Sequence, residues 1–151
     1  MSASGSAEQF GLEVVRTIKA PLAQVYAAWT DPAQLRQWFG PKKVKTLELV
    51  ADVRVGGEFR WRCLSPEGED MTVEGEYREL QPNKKVVFTW QWQDDDDWKT
   101  HRSVVTVHLA ERDDGTEVRL VHEGLPSEQS KSGHTGGWES ALEKLEEFVS
   151  Q

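Results

Sequence analysis

Residues 12–41 read LEVVRTIKAPLAQVYAAWTDPAQLRQWFGP, and this stretch decides how the fold begins. Residues 12–18 alternate apolar with polar side chains except at Val15, and they are rich in β-branched residues, which predicts a strand. Pro21 then suits the first position of a helix with one apolar stripe. The stripe consists of Leu22, Val25, Tyr26 and Trp29. Asp31 and Pro32 open a second short helix, which ends before Gly40.

From Lys45 onward the apolar period changes to two, as in strands with one buried face. Turn signals such as Gly56-Gly57 and Pro82-Asn83 divide this region into about six strands. From Trp138 onward the apolar residues again have helical spacing, which predicts a long C-terminal helix. The polar stretch over residues 124–137 fits either a loop or the frayed start of that helix. Because no strand-helix-strand repeat occurs, we predict the α+β class with an antiparallel sheet.

Length and charge restrict the function of the chain. Its 151 residues suit a single domain, which we place at residues 10–151 after a disordered tail over residues 1–9. A net charge of −8 argues against nucleic-acid binding and against docking on an anionic membrane. Cys63 is the only cysteine, and the N-terminus lacks the pattern of a signal peptide, so we expect a cytoplasmic protein.

Short motifs along nearly the whole chain, from Leu12 to Val149, resemble the activator of Hsp90 ATPase homologue family within the START-like (SRPBCC) superfamily. Each motif is short, and their order and spacing together carry the resemblance. They are Val15-Arg16-Thr17-Ile18, Ala20-Pro21, Val25-Tyr26, Trp29, Asp31-Pro32, Leu35, Trp38-Phe39-Gly40-Pro41, Asp52, Gly56-Gly57, Phe59, Gly75, Pro82, Thr116, His122-Glu123-Gly124-Leu125, His134, Gly137-Trp138, Leu142 and Leu145.

The resemblance implies a START/Bet v 1-like helix-grip fold, in which a curved antiparallel sheet of six to seven strands surrounds the long C-terminal helix. Related domains bind lipids, hormones or polyketides between sheet and helix, and some are cyclases. The family name also implies a possible chaperone partner and a role in the stress response. We therefore expect a monomer or weak homodimer that binds a small apolar ligand and needs no cofactor, nucleic acid or membrane.

Inward-facing aromatic and apolar side chains are the candidate walls of a ligand cavity, since small-molecule sites are mostly apolar and ring-lined. The same pattern also fits a filled core, and the sequence leaves both interpretations open. The candidates are Trp29, Trp38, Phe59, Trp61, Met71, Val73, Tyr77, Phe88, Trp90, Trp92, His122, Trp138 and Leu142.

Catalytic candidates are few, so a binding module is favoured over an enzyme. His122 or Tyr77 is the candidate acid/base of a cyclase, hydratase or hydrolase, while the alternative for His122 is a hydrogen-bonded core histidine. His134 is expected to cap or brace the chain before the last helix, and His101 and His108 to be solvated. No histidine or cysteine spacing predicts a metal site, and the acidic run over residues 94–97 is expected to be a solvated loop.

Overall fold

The computed structural model describes residues 10–150; the tail predicted over residues 1–9 lies outside them. Three helices are present in this part of the chain: α1 (Leu22–Thr30), α2 (Pro32–Trp38) and α3 (Glu128–Val149). A 3-10 turn spans Asp96–Trp98. The strands are β1 (Phe10–Ile18), β2 (Lys45–Ala51), β3 (Glu58–Leu64), β4 (Asp70–Gln81), β5 (Lys85–Trp92), β6 (Ser103–Arg112) and β7 (Gly115–Leu125).

All seven strands form one antiparallel sheet in the order β1-β7-β6-β5-β4-β3-β2. Alternate residues face the core because successive side chains of a strand point to opposite sides. Trp61 pairs with Val73 and Val73 with Trp92, so these three side chains share one face across β3, β4 and β5. The predicted α+β helix-grip architecture is confirmed.

The helices α1 and α2 close one end of the sheet. Pro21 is the residue before α1, so this helix begins one position later than predicted, at Leu22. The Asp31 carboxylate accepts a hydrogen bond from the Ala33 amide at 3.0 Å and caps α2, as its sequence indicated. Trp29 and Trp38 then pack edge to face with ring centroids 4.7 Å apart, which joins the two helices through their buried sides.

Helix α3 is longer than the apolar spacing alone suggested. It begins at Glu128, where the Ser127 hydroxyl accepts from the Ser130 amide at 3.0 Å. His134 therefore lies inside the helix, and the expectation that it precedes the helix is wrong. His101 and His108, expected to be solvated, are only partly so: both are half-buried, and the His101 Nε2 contacts the Gly124 carbonyl.

Polar contacts hold the C-terminal half of α3 against the rest of the fold. The Arg16 guanidinium on β1 donates to the Glu146 carboxylate at 2.7 Å, and the Gln24 side chain donates to the Val149 carbonyl at 2.9 Å. Leu142 and Leu145 on this half are fully buried. The N-terminal half of α3 instead borders an opening between the helix and the sheet.

Candidate functional site

A cavity of about 700 Å³ lies between the N-terminal half of α3 and strands β3 to β5; we call it the inner cavity. This volume falls within the roughly 300–1,000 Å³ range of small-molecule sites. Its lining residues come from the segment after α2, from the sheet, from the β5–β6 connection and from α3. They are Phe39, Gly40, Pro41, Val44, Trp61, Glu69, Asp70, Met71, Trp90, Trp92, Asp94, Asp95, Asp96, Trp98, Ser130, Gly133, His134, Gly137, Trp138 and Ala141.

The floor of the inner cavity is a cluster of buried rings around Trp90. The Trp90 ring centroid lies 5.1 Å from that of Trp138, 5.9 Å from Trp92 and 6.0 Å from Trp61. Trp61, Trp90, Trp98 and Trp138 are each no more than 4% exposed, so they present only small parts of their rings to the cavity. Ring pairs in such arrangements add to the stability of the packing.

The accessible apolar surface lies above this floor. Pro41, Val44, Met71 and Trp92 are half-buried, and Gly133 on the facing side of α3 is exposed. Gly40 has a φ of +94°, and a Cβ atom there would lie 2.5 Å from Cζ2 of Trp61. A glycine at this position therefore lets the segment after α2 pass directly over the Trp61 ring.

His134 connects α3 to the aromatic floor. Its Nε2 accepts hydrogen bonds from the indole N–H groups of Trp92 at 3.0 Å and Trp90 at 3.3 Å. Its Nδ1 lies 2.7 Å from the Ser130 carbonyl and donates to it, since a carbonyl can only accept. This arrangement requires the neutral imidazole, and burial accordingly lowers the pKa of His134.

His122 on β7 is fully buried beneath the cavity floor and also has both ring nitrogens engaged. Its Nδ1 accepts from the Trp138 indole N–H at 3.1 Å, so its Nε2 donates to the Ser103 hydroxyl at 2.8 Å. That hydroxyl in turn donates to the Trp90 carbonyl at 2.7 Å. Burial, followed by the nearby His134, lowers the pKa of His122 well below its ordinary value.

The catalytic candidates are thus placed away from the accessible cavity surface. His122 has no free nitrogen for a ligand, and it does not line the inner cavity. Tyr77 is 4% exposed and lines a separate void of about 20 Å³ beside Trp29. Burial raises the pKa of Tyr77, which disfavours its deprotonation. Acid/base chemistry at either side chain would require a ligand to displace packed core residues.

The predicted wall residues divide into two groups. Trp61, Met71, Trp90, Trp92 and Trp138 line the inner cavity. The others do not line it and belong to the packed core around it: Trp29, Trp38, Phe59, Val73, Tyr77, Phe88, His122 and Leu142. Sequence reasoning missed Phe39, Trp98 and His134 as wall residues, although Trp98 is a single large apolar residue after a polar run, which is typical of a buried anchor.

The small void and the outer face of the sheet offer weaker sites. Among residues 10–150, the Trp29 Nε1 is a buried donor without a hydrogen-bond partner, and Trp29 is one of the residues that line the void of about 20 Å³. That void has room for about one water molecule. A concavity of about 780 Å³ on the outer face is lined largely by charged side chains, including Arg60, Glu74 and Arg102, so it lacks the apolar walls of a ligand site.

Metal binding, a membrane-spanning helix and thiol chemistry find little support in the described part of the chain. No group of three or more histidine, cysteine, aspartate or glutamate side chains within residues 10–150 is arranged to hold a metal ion. Within the same part of the chain, none of the helices has both the length and the apolar character needed to cross a membrane. Cys63 is fully buried, and burial raises the pKa of its thiol to about 12.

The fold agrees with comparisons against known proteins. A model of the family described as activator of Hsp90 ATPase homolog 1-like protein matches residues 19–150. The chain belongs to this family. An uncharacterized protein of Schizosaccharomyces pombe, C1711.08, is 30% identical over 112 residues, which are 73% of this chain. The match spans only 28% of that relative's length.

Solved structures of bacterial proteins share the fold of this chain. The AHSA1 protein SPO3351 of Silicibacter pomeroyi is 27% identical, with a TM-score of 0.81 over 93% of this chain and 98% of that one. Protein CV1439 of Chromobacterium violaceum is 28% identical, with a TM-score of 0.80 over 93% and 97%. CalU16 of Micromonospora echinospora is 28% identical, with a TM-score of 0.67 over 93% and 76%.

Proposed function

We propose that this family member binds a small apolar or aromatic molecule in the inner cavity, as a cytoplasmic monomer or weak homodimer. The observation that supports the proposal is a cavity of about 700 Å³ with a ring-lined floor and an accessible apolar wall that includes Met71 and Trp92. Helix-grip relatives are expected to use the same space between sheet and helix. Burial of apolar ligand surface there supplies about 25 cal/mol per Å² before the costs of association.

Binding is favoured over catalysis because the polar groups near the floor are already paired. His134 uses one nitrogen for Ser130 and the other for two indoles. His122 is likewise saturated by Ser103 and Trp138. A general acid or base needs a group within hydrogen-bond reach of the ligand, and these imidazoles would first have to break existing bonds.

The test places a large side chain in the cavity wall and compares it with a matched control substitution on the same helix. Gly133 and Gly136 are both exposed in α3, and a Cβ at either meets no atom within 4 Å. Of these two glycines, only Gly133 lines the inner cavity. Gly133→Leu should therefore fill the cavity mouth and weaken ligand binding, while Gly136→Leu makes the same chemical change outside it.

The assay is a titration followed by intrinsic tryptophan fluorescence and by thermal unfolding, with sterols, flavonoids, fatty acids and small aromatic acids and amines as the panel. A ligand that binds the folded state should raise the melting temperature and quench the cavity tryptophans. We expect Gly133→Leu to raise the dissociation constant at least about tenfold and Gly136→Leu to leave it unchanged. Equal binding by both variants would remove the inner cavity as the site.

Protein binding is the second candidate, and it is supported by the family description and by the net charge of −8. The measurement is the ATPase rate of an Hsp90 chaperone with this protein in micromolar excess. A reproducible stimulation, together with co-elution of the two proteins, would support this candidate. An unchanged rate, combined with a ligand that saturates the inner cavity, would leave small-molecule binding as the function.

A further inference from the structure

The charged side chains that line the inner cavity are all acidic. Five of its lining residues are acidic and exposed: Glu69, Asp70, Asp94, Asp95 and Asp96. None of the described residues that line it is a lysine or an arginine. Because these acidic residues are exposed while the aromatic floor is buried, we place their carboxylates on the solvent side of the cavity, which we call its mouth.

Neighbouring cations offset only part of this negative charge. Arg62 pairs with Asp70 at 2.6 Å, and Lys99 pairs with Asp96 at 3.3 Å. Lys42, which follows the lining residue Pro41, directs its ammonium group to Glu143 and Glu147 on α3. Within residues 10–150, Glu69, Asp94 and Asp95 have no oppositely charged partner at salt-bridge distance.

The aromatic floor adds few hydrogen-bond donors for an anionic ligand. The Trp61 indole N–H donates to the Thr46 hydroxyl at 2.9 Å, and those of Trp90 and Trp92 donate to His134. The Trp138 N–H donates to His122. A carboxylate or phosphate ligand would thus meet a mouth that repels it and, at these four tryptophans, indoles whose donors are occupied.

We infer that the inner cavity takes organic cations, molecules with an apolar or aromatic body on the ring floor and an ammonium group at the acidic mouth. The inference rests on the proposed binding function and adds the charge of the ligand. Tryptophan is the best partner for a cation above a ring face, and half-buried Trp92 lies at the accessible edge of the floor. Carboxylates near the ammonium group add Coulomb attraction, which salt weakens.

Three probes with the same phenylbutyl body separate charge from apolar burial: 4-phenylbutyltrimethylammonium, its uncharged carbon isostere (5,5-dimethylhexyl)benzene, and the anion 5-phenylpentanoate. Their dissociation constants are measured by tryptophan quenching at low and at high ionic strength. We expect the cation to bind about tenfold more tightly than the uncharged isostere at low salt, with the anion weakest. Added salt should reduce the advantage of the cation and leave the isostere unaffected.

A charge variant at the mouth is compared with one far from it. Glu69→Gln with Asp95→Asn removes two carboxylates at the mouth, and the Asn keeps the side-chain oxygen that accepts from the Asp97 amide. Asp113→Asn with Asp114→Asn removes the same charge from the exposed β6–β7 turn, outside the cavity lining. The first variant should weaken cation binding at least about threefold and the second should not, since screening limits distant charges.

The outcomes separate the two proposals. Binding of the uncharged isostere without any advantage for the cation would overturn the inference and leave the proposed binding function standing. Equal losses of cation affinity in the two charge variants would also overturn it, because the overall charge would then be the cause. Failure of all three probes, and of the wider ligand panel, would overturn the binding function itself.

Discussion

The hydrogen bond between the Trp138 indole and His122 Nδ1 predicts the cost of replacing His122 by leucine. Both residues are at most 4% exposed, so the indole N–H has no water to replace its lost acceptor. An unsatisfied buried donor costs about 1–3 kcal/mol. The Ser103 hydroxyl loses the His122 donor but still donates to the Trp90 carbonyl, so it adds little to this cost.

Urea unfolding followed by circular dichroism measures the loss. With a slope of about 2 kcal/mol per molar urea, typical for a domain of moderate size, His122→Leu should lower the midpoint by about 0.5–1.5 M. Trp138→Phe removes the indole donor, so in that background His122→Leu leaves no unpaired N–H. The substitution should then cost about 1–2 kcal/mol less than in the wild type.

A double-mutant cycle decides whether the hydrogen bond causes the cost. His108→Leu is the matched control, because His108 is a half-buried histidine on β6 whose ring is not bonded to Trp138. Its effect should add to that of Trp138→Phe to within about 0.5 kcal/mol. If the effects of His122→Leu and Trp138→Phe on the free energy of unfolding are just as additive, the explanation by an unpaired indole N–H is wrong. The loss of stability must then come from packing alone.

Three other properties can be measured directly. Burial lowers the pKa of both His122 and His134 in the folded state, so the unfolded chain binds more protons below about pH 6.5 and stability should fall with decreasing pH. Each histidine changes the free energy of unfolding by at most about 1.4 kcal/mol per pH unit. If the free energy of unfolding of His122→Leu depends on pH between 7.5 and 5.5 as steeply as that of the wild type, this explanation is wrong. Gly136→Ala and, separately, Gly133→Ala should each raise stability by about 0.5–1 kcal/mol, since alanine is the better helix former and its Cβ meets no neighbour; an unchanged or lower melting temperature would contradict it. Cys63 should react with a thiol reagent such as Ellman's only after unfolding, because it is fully buried and its pKa is raised to about 12; rapid reaction of the native protein would contradict this.

The strands and the first two helices could be predicted because local sequence determines them. Alternation of apolar and polar residues indicates which side chains of a strand face inward, and the Asp31 cap is a contact between near neighbours in sequence. The start of α3 could not be predicted in this way. Residues 128–137 include three glycines and few apolar side chains, and His134 secures them through bonds to tryptophans on a distant strand.

The cavity wall was predictable only as a face of the sheet. Phe59 and Trp61 both point inward from β3, as alternation requires, yet Phe59 packs towards α1 and α2 whereas Trp61 lies beside the opening. Alternation of apolar and polar residues predicts which face of the sheet a side chain is on. It does not predict which side chains the helices cover, because that depends on tertiary packing. Trp98 follows an acidic run without any periodic neighbour, so no strand or helix pattern marked it.

The pairing of β1 with β7 affects how the protein folds during synthesis. Leu12 on β1 lies opposite His122 on β7, so the strand that pairs with β1 is synthesised about 110 residues after it. At a translation rate of roughly 5–20 residues per second, this delay is about 5–20 s. Throughout that interval β1 is a nascent strand with an unpaired edge, and contacts between such distant segments also form slowly once the chain is complete. In the ribosome-bound chain β1 should therefore remain unpaired until β7 emerges, and α3 can close over the complete sheet only after that.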